Sequence, residues 1–285
     1  MTESLPEVYA NDLFQKGTAE TGYVYLADNQ TPLKVEYIEY DQLAIVDGDI
    51  VVAEAAKMRR LTAFIEREGR QQGEEPHVDI IIDMRRLWPN GKVFYAFDAN
   101  VPASTQQDIK KAMAAITQAC PGISFSLRGT EPNYVSFKIG LGHSSYVGMI
   151  GGKQLITLGV NYVLGNIIHE IGHTLGLLHE HTKPSRDTYI TVDMGNIPAN
   201  KQSNFVIINH PELFKSLKYD WGSIMHYSKN AFAIDPTKPT ITPTQALPSG
   251  TVMGQRSALS ALDVEGINAL YLKKTEDSEQ RLPQR

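Results

Sequence analysis

The sequence has 285 residues, 42% of them hydrophobic, which is enough for one large domain or for one domain with a smaller one beside it. The net charge of −5 and an isoelectric point near 5.9 argue against binding to nucleic acid or to an anionic membrane surface. Cys120 is the single cysteine, so no disulfide forms within the chain. No apolar run reaches the ~18 residues needed to cross a bilayer.

The N-terminal part predicts a small β-rich unit. Residues 22–53 are rich in Tyr, Val and Ile and are broken at Asp28-Asn29 and Asp47-Gly48, which predicts short strands joined by turns. Residues 53–68 combine good helix formers with a partial apolar stripe and predict a helix. Residues 68–76 are polar, with two glycines and a proline, so we expect an exposed linker there, at the domain boundary, where a protease would cut.

Further along the chain, strand and helix patterns alternate. β-rich runs predict strands at residues 92–97, 123–127, 134–139 and 154–158. Apolar periodicity predicts helices at residues 102–120, 162–175 and 260–272, the first and last with Ser104 and Ser260 as N-caps. Residues 273–285 are polar and predict a frayed end.

One segment has the spacing of a catalytic zinc site: His169-Glu-Ile-Gly-His173, followed by Gly176 and His179. Histidines four residues apart on a helix share one face, so both imidazoles can bind one ion. Gly176 suits a left-handed helix end, after which the chain turns back and brings His179 to the same ion. Three nitrogen ligands leave one position for water, as in catalytic zinc sites. Glu170 suits the general base for that water.

The length of this pattern separates two interpretations of the histidines. A bare HExxH occurs by chance in about 1 in 100 chains of this kind, whereas HExxHxxGxxH does so on the order of once in 10⁵. The alternative is a helix whose histidines only cap it or pair with carboxylates. The longer pattern favours a metal site, and ligand type and availability indicate zinc over cobalt or manganese.

The residues around this site resemble the astacin family of zinc endopeptidases, within the metzincin clan. Glu180 directly follows the third histidine, which is typical of astacins, and Ser223-Ile-Met225-His-Tyr227 resembles the astacin Met-turn. The resemblance implies that Met225 forms an apolar floor under the zinc and that Glu180 has a structural role, anchoring the mature N-terminus. It also implies that Tyr227 is a fifth, displaceable zinc ligand that hydrogen-bonds the oxyanion in the transition state.

Weaker matches extend the resemblance over residues 87–272, including an edge-strand region at residues 144–148 that would pair with an extended substrate. The implied fold class is α+β: a two-subdomain metzincin catalytic domain with a twisted, mostly five-stranded sheet and long helices above the cleft. Its lower subdomain is expected to be irregular and to contain the C-terminal helix. The expected domains are a β-rich prodomain (residues 1–76), the catalytic domain (residues 77–273) and a polar tail (residues 274–285).

A second short motif indicates how the enzyme is kept inactive. Residues 45–50 (IVDGDI) resemble the Gly-Asp motif of astacin propeptides, whose aspartate takes the place of the catalytic water at the zinc, and Asp49 is the matching residue. The alternative is an ordinary Asp-Gly hairpin turn. Cys120 is a rival latch, because a thiolate also binds zinc. Its place at a helix end inside the catalytic domain favours a buried packing residue instead.

The remaining polar residues near the motifs are expected to be structural. His181 and His226 lie beside motif residues, but a catalytic zinc takes three protein ligands. Arg186 and Asp187 are expected to form an ion pair that supports the loop after the zinc motif. The other histidines, His77, His143 and His210, show no partner pattern.

The sequence therefore predicts a zinc-dependent endopeptidase, a monomer with extended polypeptide substrates, held latent by its own propeptide. One alternative is a catalytically silent zinc protein that grips a peptide strand, against which Glu170 and Tyr227 argue; another is a toxin-like effector with one narrow target. Residues 1–30 lack a basic segment followed by an apolar one, and the family's disulfides are missing. We therefore expect a minimal bacterial form that is secreted or exported by a non-standard route.

Overall fold

The computed structural model describes residues 17–26, 32–68, 81–82, 86–208, 214 and 218–271. Four α-helices lie in this part of the chain: α1 (Ala55–Glu68), α2 (Ala103–Ala119), α3 (Leu164–Thr174) and α4 (Ala261–Tyr271). Its strands are β1 (Thr18–Leu26), β2 (Leu33–Tyr40), β3 (Leu43–Val46), β4 (Ile50–Glu54), β5 (Ile81–Ile82), β6 (Lys92–Phe97), β7 (Ser124–Leu127), β8 (Tyr134–Gly140), β9 (Ser144–Tyr146), β10 (Lys153–Gly159), β11 (Ile190–Val192) and β12 (Ile241–Pro243). We call residues 17–68 the N-terminal unit and residues 86–271 the main unit.

A single mixed sheet runs through both units. Its order over the described strands is β5-β1-β2-β3-β4-β9-β10-β8-β6-β7. Strands β1 to β4 form an antiparallel meander, whereas β10, β8, β6 and β7 are parallel. The units join where β4 runs parallel to β9, with Ile50 opposite Ser145 and Val51 opposite Tyr146. The edge strand that was expected to receive substrate therefore already has a neighbour.

Helix α2 packs on this sheet through one apolar stripe. Ile109, Met113 and Ile116 recur at helical spacing and are buried in the largest core cluster, together with residues from the strands, α3 and α4. The prediction of Ser104 as the N-cap is wrong. Pro102 takes the N-cap position and no side chain caps the helix, so Ser104 lies inside the first turn.

The N-terminal unit has a core of its own that continues into the main unit. Met58 and Leu61 of α1 are fully buried against the meander. Val147 and Leu178 of the main unit belong to the same cluster. Helix α1 starts two residues later than the sequence pattern predicts, because residues 53 and 54 continue β4.

Helix α4 begins with the predicted cap. Ser260 Oγ accepts a hydrogen bond from the backbone N–H of Asp263 at 2.9 Å, and Asp263 Oδ2 accepts one from the N–H of Ser260 at 2.9 Å. The two side chains thus satisfy two N–H groups that the first turn leaves without helical partners. Ser260 as the N-cap is confirmed.

The α+β class predicted from the sequence is confirmed, and the strands predicted at residues 92–97, 123–127, 134–139 and 154–158 correspond to β6, β7, β8 and β10. Residues 69–76 of the predicted linker and the tail at residues 274–285 lie outside the described residues. The division of the catalytic domain into two subdomains stays a prediction. Among the described helices, none has the length and apolar character needed to span a membrane.

Candidate metal centre

Helix α3 places the first two histidines on one buried face. Residues 165–174 of this helix are all buried, and its start is fixed by a hydrogen bond from the N–H of Val163 to Asn166 Oδ1 at 2.8 Å. The helix ends as the sequence predicts: Gly176 has φ +103°, and its N–H donates to the carbonyl of His173 at 2.8 Å. This left-handed residue turns the chain toward His179.

Four buried side chains, two of them from α3, converge on one point. His169, His173, His179 and Asp49 each offer one atom, and these atoms all lie within 4.8 Å of one another. Nε2 of His169 and Nε2 of His179 are 3.4 Å apart. A tetrahedral zinc with bonds of about 2.0–2.1 Å separates its ligand atoms by about 3.3 Å. The observed spacing therefore fits a zinc ion.

The hydrogen bonds of the outer ring nitrogens support the same conclusion. Nδ1 of His169 and of His173 donates to a backbone carbonyl at 2.8 Å, and Nδ1 of His179 donates to Asp47 Oδ2 at 2.7 Å. With Nδ1 bonded in this way, each Nε2 would present its lone pair to a bound metal ion. Nε2 of His173 and Oδ1 of Asp49 are buried and lack a hydrogen-bond partner. Converging lone pairs of this kind suit a cation, and the residues present fit zinc.

Asp49 reaches these histidines from the N-terminal unit. Its Oδ1 lies 3.1 Å from Nε2 of His179 and 3.4 Å from Nε2 of His173. The turn between β3 and β4 is made by Asp47 and Gly48, whose φ angles are 47° and 77°. An Asp-Gly hairpin turn is therefore present, and its tip carries Asp49 into the histidine cluster.

The charges in this cluster compensate one another. Burial raises the pKa of Asp49, but the charge of His179 and the close approach of the three histidine rings hold it well below its usual value. Burial lowers the pKa of His179, but the negative charges of Asp49 and Asp47 raise it to about 10. Without a metal, the centre thus pairs a carboxylate with an imidazolium, and a bound zinc would supply that positive charge instead.

Tyr227 lies next to the cluster and is hydrogen-bonded to Asp47. Its hydroxyl donates to the backbone carbonyl of Asp47 at 2.7 Å and to Oδ1 of the same residue at 3.1 Å. Its ring lies 4.8 Å from the ring of His179, centroid to centroid. Sequence reasoning predicts only a turn at Asp47 and misses these contacts. Its position two residues before Asp49 at a hairpin tip is the signal that could have indicated them.

Known protein families include one that matches most of this chain. The model of the astacin peptidase family matches residues 80–272. The chain belongs to the astacin family. This match confirms the predicted resemblance to the astacin zinc metalloproteases, and His169, His173, His179 and Asp49 form a group that could hold its metal ion.

Several known proteins are similar to this astacin. Zinc metalloproteinase nas-38 of Caenorhabditis elegans is 33% identical over 82% of this chain and 33% of its own length. Nematocyst expressed protein 6 of Nematostella vectensis is 30% identical over 81% of this chain and 78% of its own length. Among solved structures, the hatching enzyme zinc-protease high choriolytic enzyme 1 of the medaka Oryzias latipes matches with 31% identity and a TM-score of 0.59, over 65% of this chain and 92% of its own. This chain spans about a third of the length of nas-38.

In this astacin, Met225 packs against α3 below the histidines. Met225 is buried in the main core cluster, and a Cβ added at Gly172 would lie only 2.9 Å from its Sδ. Because Gly172 has no side chain, Met225 can approach α3 closely at a position between His169 and His173. This place agrees with the apolar floor that the resemblance implies.

Two residues that sequence reasoning misses hold the Met-turn of this astacin in place. Asp263 accepts hydrogen bonds from Ser223 Oγ at 2.6 Å and from the N–H of Ile224 at 2.9 Å. Arg256 Nη1 donates to the carbonyl of Ile224 at 2.8 Å. That same carbonyl accepts the bond from Nδ1 of His169. The Met-turn thus also fixes the ring of the first histidine.

Glu180 of this astacin lies outside the metal centre and is paired internally. Its Oε1 accepts hydrogen bonds from Lys183 Nζ at 2.6 Å and from the N–H of Asp220 at 2.7 Å. Burial raises the pKa of Glu180 to about 7, against the opposing charge of Lys183. These contacts agree with a structural role for Glu180.

The other residues singled out by sequence do not belong to the group of four side chains that could hold a metal ion. Nε2 of His181 bonds the carbonyl of Asn204 at 2.9 Å, and Nε2 of His226 bonds the hydroxyl of Tyr219 at 2.7 Å. The predicted ion pair is present, with Arg186 Nε 2.8 Å from Asp187 Oδ1. Cys120 is fully buried at the end of α2, inside the main core cluster. His143 is buried and its Nδ1 accepts from the N–H of Gly159, whereas His77 and His210 lie outside the described residues.

Proposed function

We propose that this protein cleaves internal peptide bonds of extended polypeptides and that its N-terminal unit keeps it latent. The observation that carries the proposal is the convergence of Nε2 of His169, His173 and His179, with the carboxylate of Asp49 against all three rings. Export and a monomeric state stay predictions from the sequence.

Each residue of the site has a defined task in this reaction. The three histidines would hold the zinc, which would supply activation of a water molecule and polarisation of the scissile carbonyl. Glu170, buried on α3 next to His169, accepts the proton from the water and returns it to the departing amine. The hydroxyl of Tyr227, once it leaves Asp47, donates a hydrogen bond to the developing oxyanion.

Substrate binding is proposed to use β9. Strand addition pairs backbone N–H and C=O groups of a peptide with a sheet edge, so it binds extended chains irrespective of their side chains. In the described structure β4 takes this edge, and the N–H of Ser145 donates to the carbonyl of Asp49 at 2.9 Å. A substrate strand would therefore have to take the position of β4 beside β9.

Latency is proposed to arise from two contacts of the N-terminal unit. Asp49 takes the side of the histidine cluster where the activated water would form, and β4 takes the edge where the substrate would pair. Both belong to one hairpin, so a cut in the linker at residues 68–76 and loss of the predicted prodomain (residues 1–76) would free the metal centre and the edge together.

The proposal is tested with a casein digest of the processed enzyme. Chelation should stop peptide release, zinc should restore it, and Glu170→Gln should retain one zinc per chain while losing roughly 10²–10⁴-fold or more in kcat, because the general base is gone. Glu265→Gln on the exposed side of α4 is the matched control and should leave the rate unchanged. Normal turnover by Glu170→Gln would overturn the proposed mechanism.

A further inference from the structure

The three histidines differ in where their outer nitrogens find a partner. Nδ1 of His169 and Nδ1 of His173 bond the carbonyls of Ile224 and Leu177, which belong to the main unit. Nδ1 of His179 bonds the carboxylate of Asp47, which belongs to the N-terminal unit. Two of the three rings are therefore oriented from within the main unit, and one is oriented from outside it.

We propose that Asp47 is a positioning residue of the metal centre, so that the N-terminal unit completes the zinc site that Asp49 blocks. The proposal rests on the zinc site and the latch described above and adds a second role for the same hairpin. The precursor is then the form that takes up zinc most tightly, and the metal is loaded before the N-terminal unit leaves.

The environment of His179 explains why its partner matters. His169 and His173 lie inside α3, whose backbone fixes where each side chain starts. His179 follows the helix end, in extended backbone at the start of a short 3-10 turn. A carboxylate that accepts from the outer nitrogen fixes the orientation of a ligand ring and raises its basicity. Asp47 does this at 2.7 Å, with its own side chain only 13% exposed.

Asp47 also holds Tyr227 at the same time. The Tyr227 hydroxyl donates to the carbonyl and to Oδ1 of Asp47, while Oδ2 accepts from His179. One side chain thus orients a zinc ligand and keeps the tyrosine hydroxyl engaged away from the metal. The precursor combines a complete metal site with an inactive tyrosine.

The test measures the zinc dissociation constant of the full-length chain by competition with a chromophoric chelator. Asp47→Gly removes the carboxylate without backbone strain, because Asp47 has φ 47°, and should raise the dissociation constant roughly 10–100-fold. Asp47→Asn should stay within about three-fold of the unmodified chain, since an amide oxygen accepts the same bond and Asn tolerates this conformation.

Asp41→Gly is the matched control. Asp41 also has a positive φ, 51°, and lies in the neighbouring hairpin turn between β2 and β3, where it forms an ion pair with Lys138. This variant should bind zinc as the unmodified chain does. Both zinc-free variants should be folded in the absence of urea, as measured by circular dichroism, which separates a lost ligand orientation from an unfolded hairpin.

The outcomes distinguish this proposal from the proposed function. Zinc binding by Asp47→Gly as tight as that of the unmodified chain would overturn the role of Asp47 and leave the peptidase proposal intact. Asp47→Asn binding as weakly as Asp47→Gly would likewise reject orientation through a hydrogen bond. An unmodified chain without any zinc affinity would instead remove the metal site itself.

Discussion

Oδ2 of Asp49 lies 3.1 Å from Nε2 of His169, although 120 residues separate the two in the chain. The contact joins the tip of the β3–β4 hairpin to the first histidine of the zinc pattern. Both side chains are only 2% exposed, so the contact is shielded from water and is screened less than an ion pair on the surface.

The first prediction concerns this contact. Asp49→Ala should give a precursor that cleaves casein before any processing, with a rate roughly ten-fold or more above the uncut unmodified chain, since ten-fold corresponds to about 1.4 kcal/mol of lost blocking interaction. Asp98→Ala, which removes a half-exposed partner of Lys153, is the control. A precursor of Asp49→Ala as silent as the unmodified one would count against the latch.

The second prediction concerns the packing of α3 against the backbone at Arg256. A Cβ at Gly165 would lie 1.9 Å from the backbone oxygen of Arg256, so Gly165→Ala must push the helix away from that loop. We expect a loss of about 3 kcal/mol in the free energy of unfolding, measured in urea. Gly129→Ala meets its nearest atom at 3.5 Å and should change stability by no more than about 0.5 kcal/mol. Equal midpoints for the two variants would show that α3 is not held so closely.

The third prediction is a pH dependence of stability in the zinc-free protein. Burial lowers the pKa of His143 to about 4, with Asp49 raising it and Arg256 lowering it further, whereas the unfolded value is about 6.5. Between these values the unfolded chain binds a proton that the folded chain does not. Stability should therefore fall by up to about 3 kcal/mol as pH drops from 6.5 to 4. His143→Gln, which keeps an acceptor for Gly159, should lack this part of the loss, and identical pH profiles would contradict the assignment.

The fourth prediction concerns the single thiol. Burial, together with the charge of Asp263, raises the pKa of Cys120 to about 11, so only about 0.1% is thiolate at pH 8. Iodoacetamide should leave the folded protein unlabelled and should label it fully in urea. Rapid labelling of the folded chain would mean that Cys120 is accessible, and would reopen its role as a rival latch.

The group of three histidines is predictable from sequence because the arrangement is local. His169 and His173 share a helix face through i,i+4 spacing, and Gly176 marks the turn that returns His179. The caps show the limit of local rules. Ser260 caps α4 as predicted. Ser104 does not cap α2, because Pro102, two residues earlier, already occupies the N-cap position.

Asp47 and the β4–β9 pairing are not predictable in the same way. The hydrogen bond from His179 to Asp47 spans 132 residues, so no short pattern records it. The β4–β9 pairing involves two registered residue pairs, which is too little for an alternation pattern to specify a partner strand. A turn signal at Asp47-Gly48 predicts the local conformation but not what its tip will touch.

The position of β4 beside β9 has a consequence for solubility. Departure of the N-terminal unit would expose the unpaired backbone groups of β9, and free strands of this kind are templates for edge-to-edge self-association. Strand β9 is only three residues long, and short exposed strands are a common protection against such contacts. If the N-terminal unit leaves as proposed, the hairpin would therefore also have protected β9 from self-association until a substrate strand pairs with it.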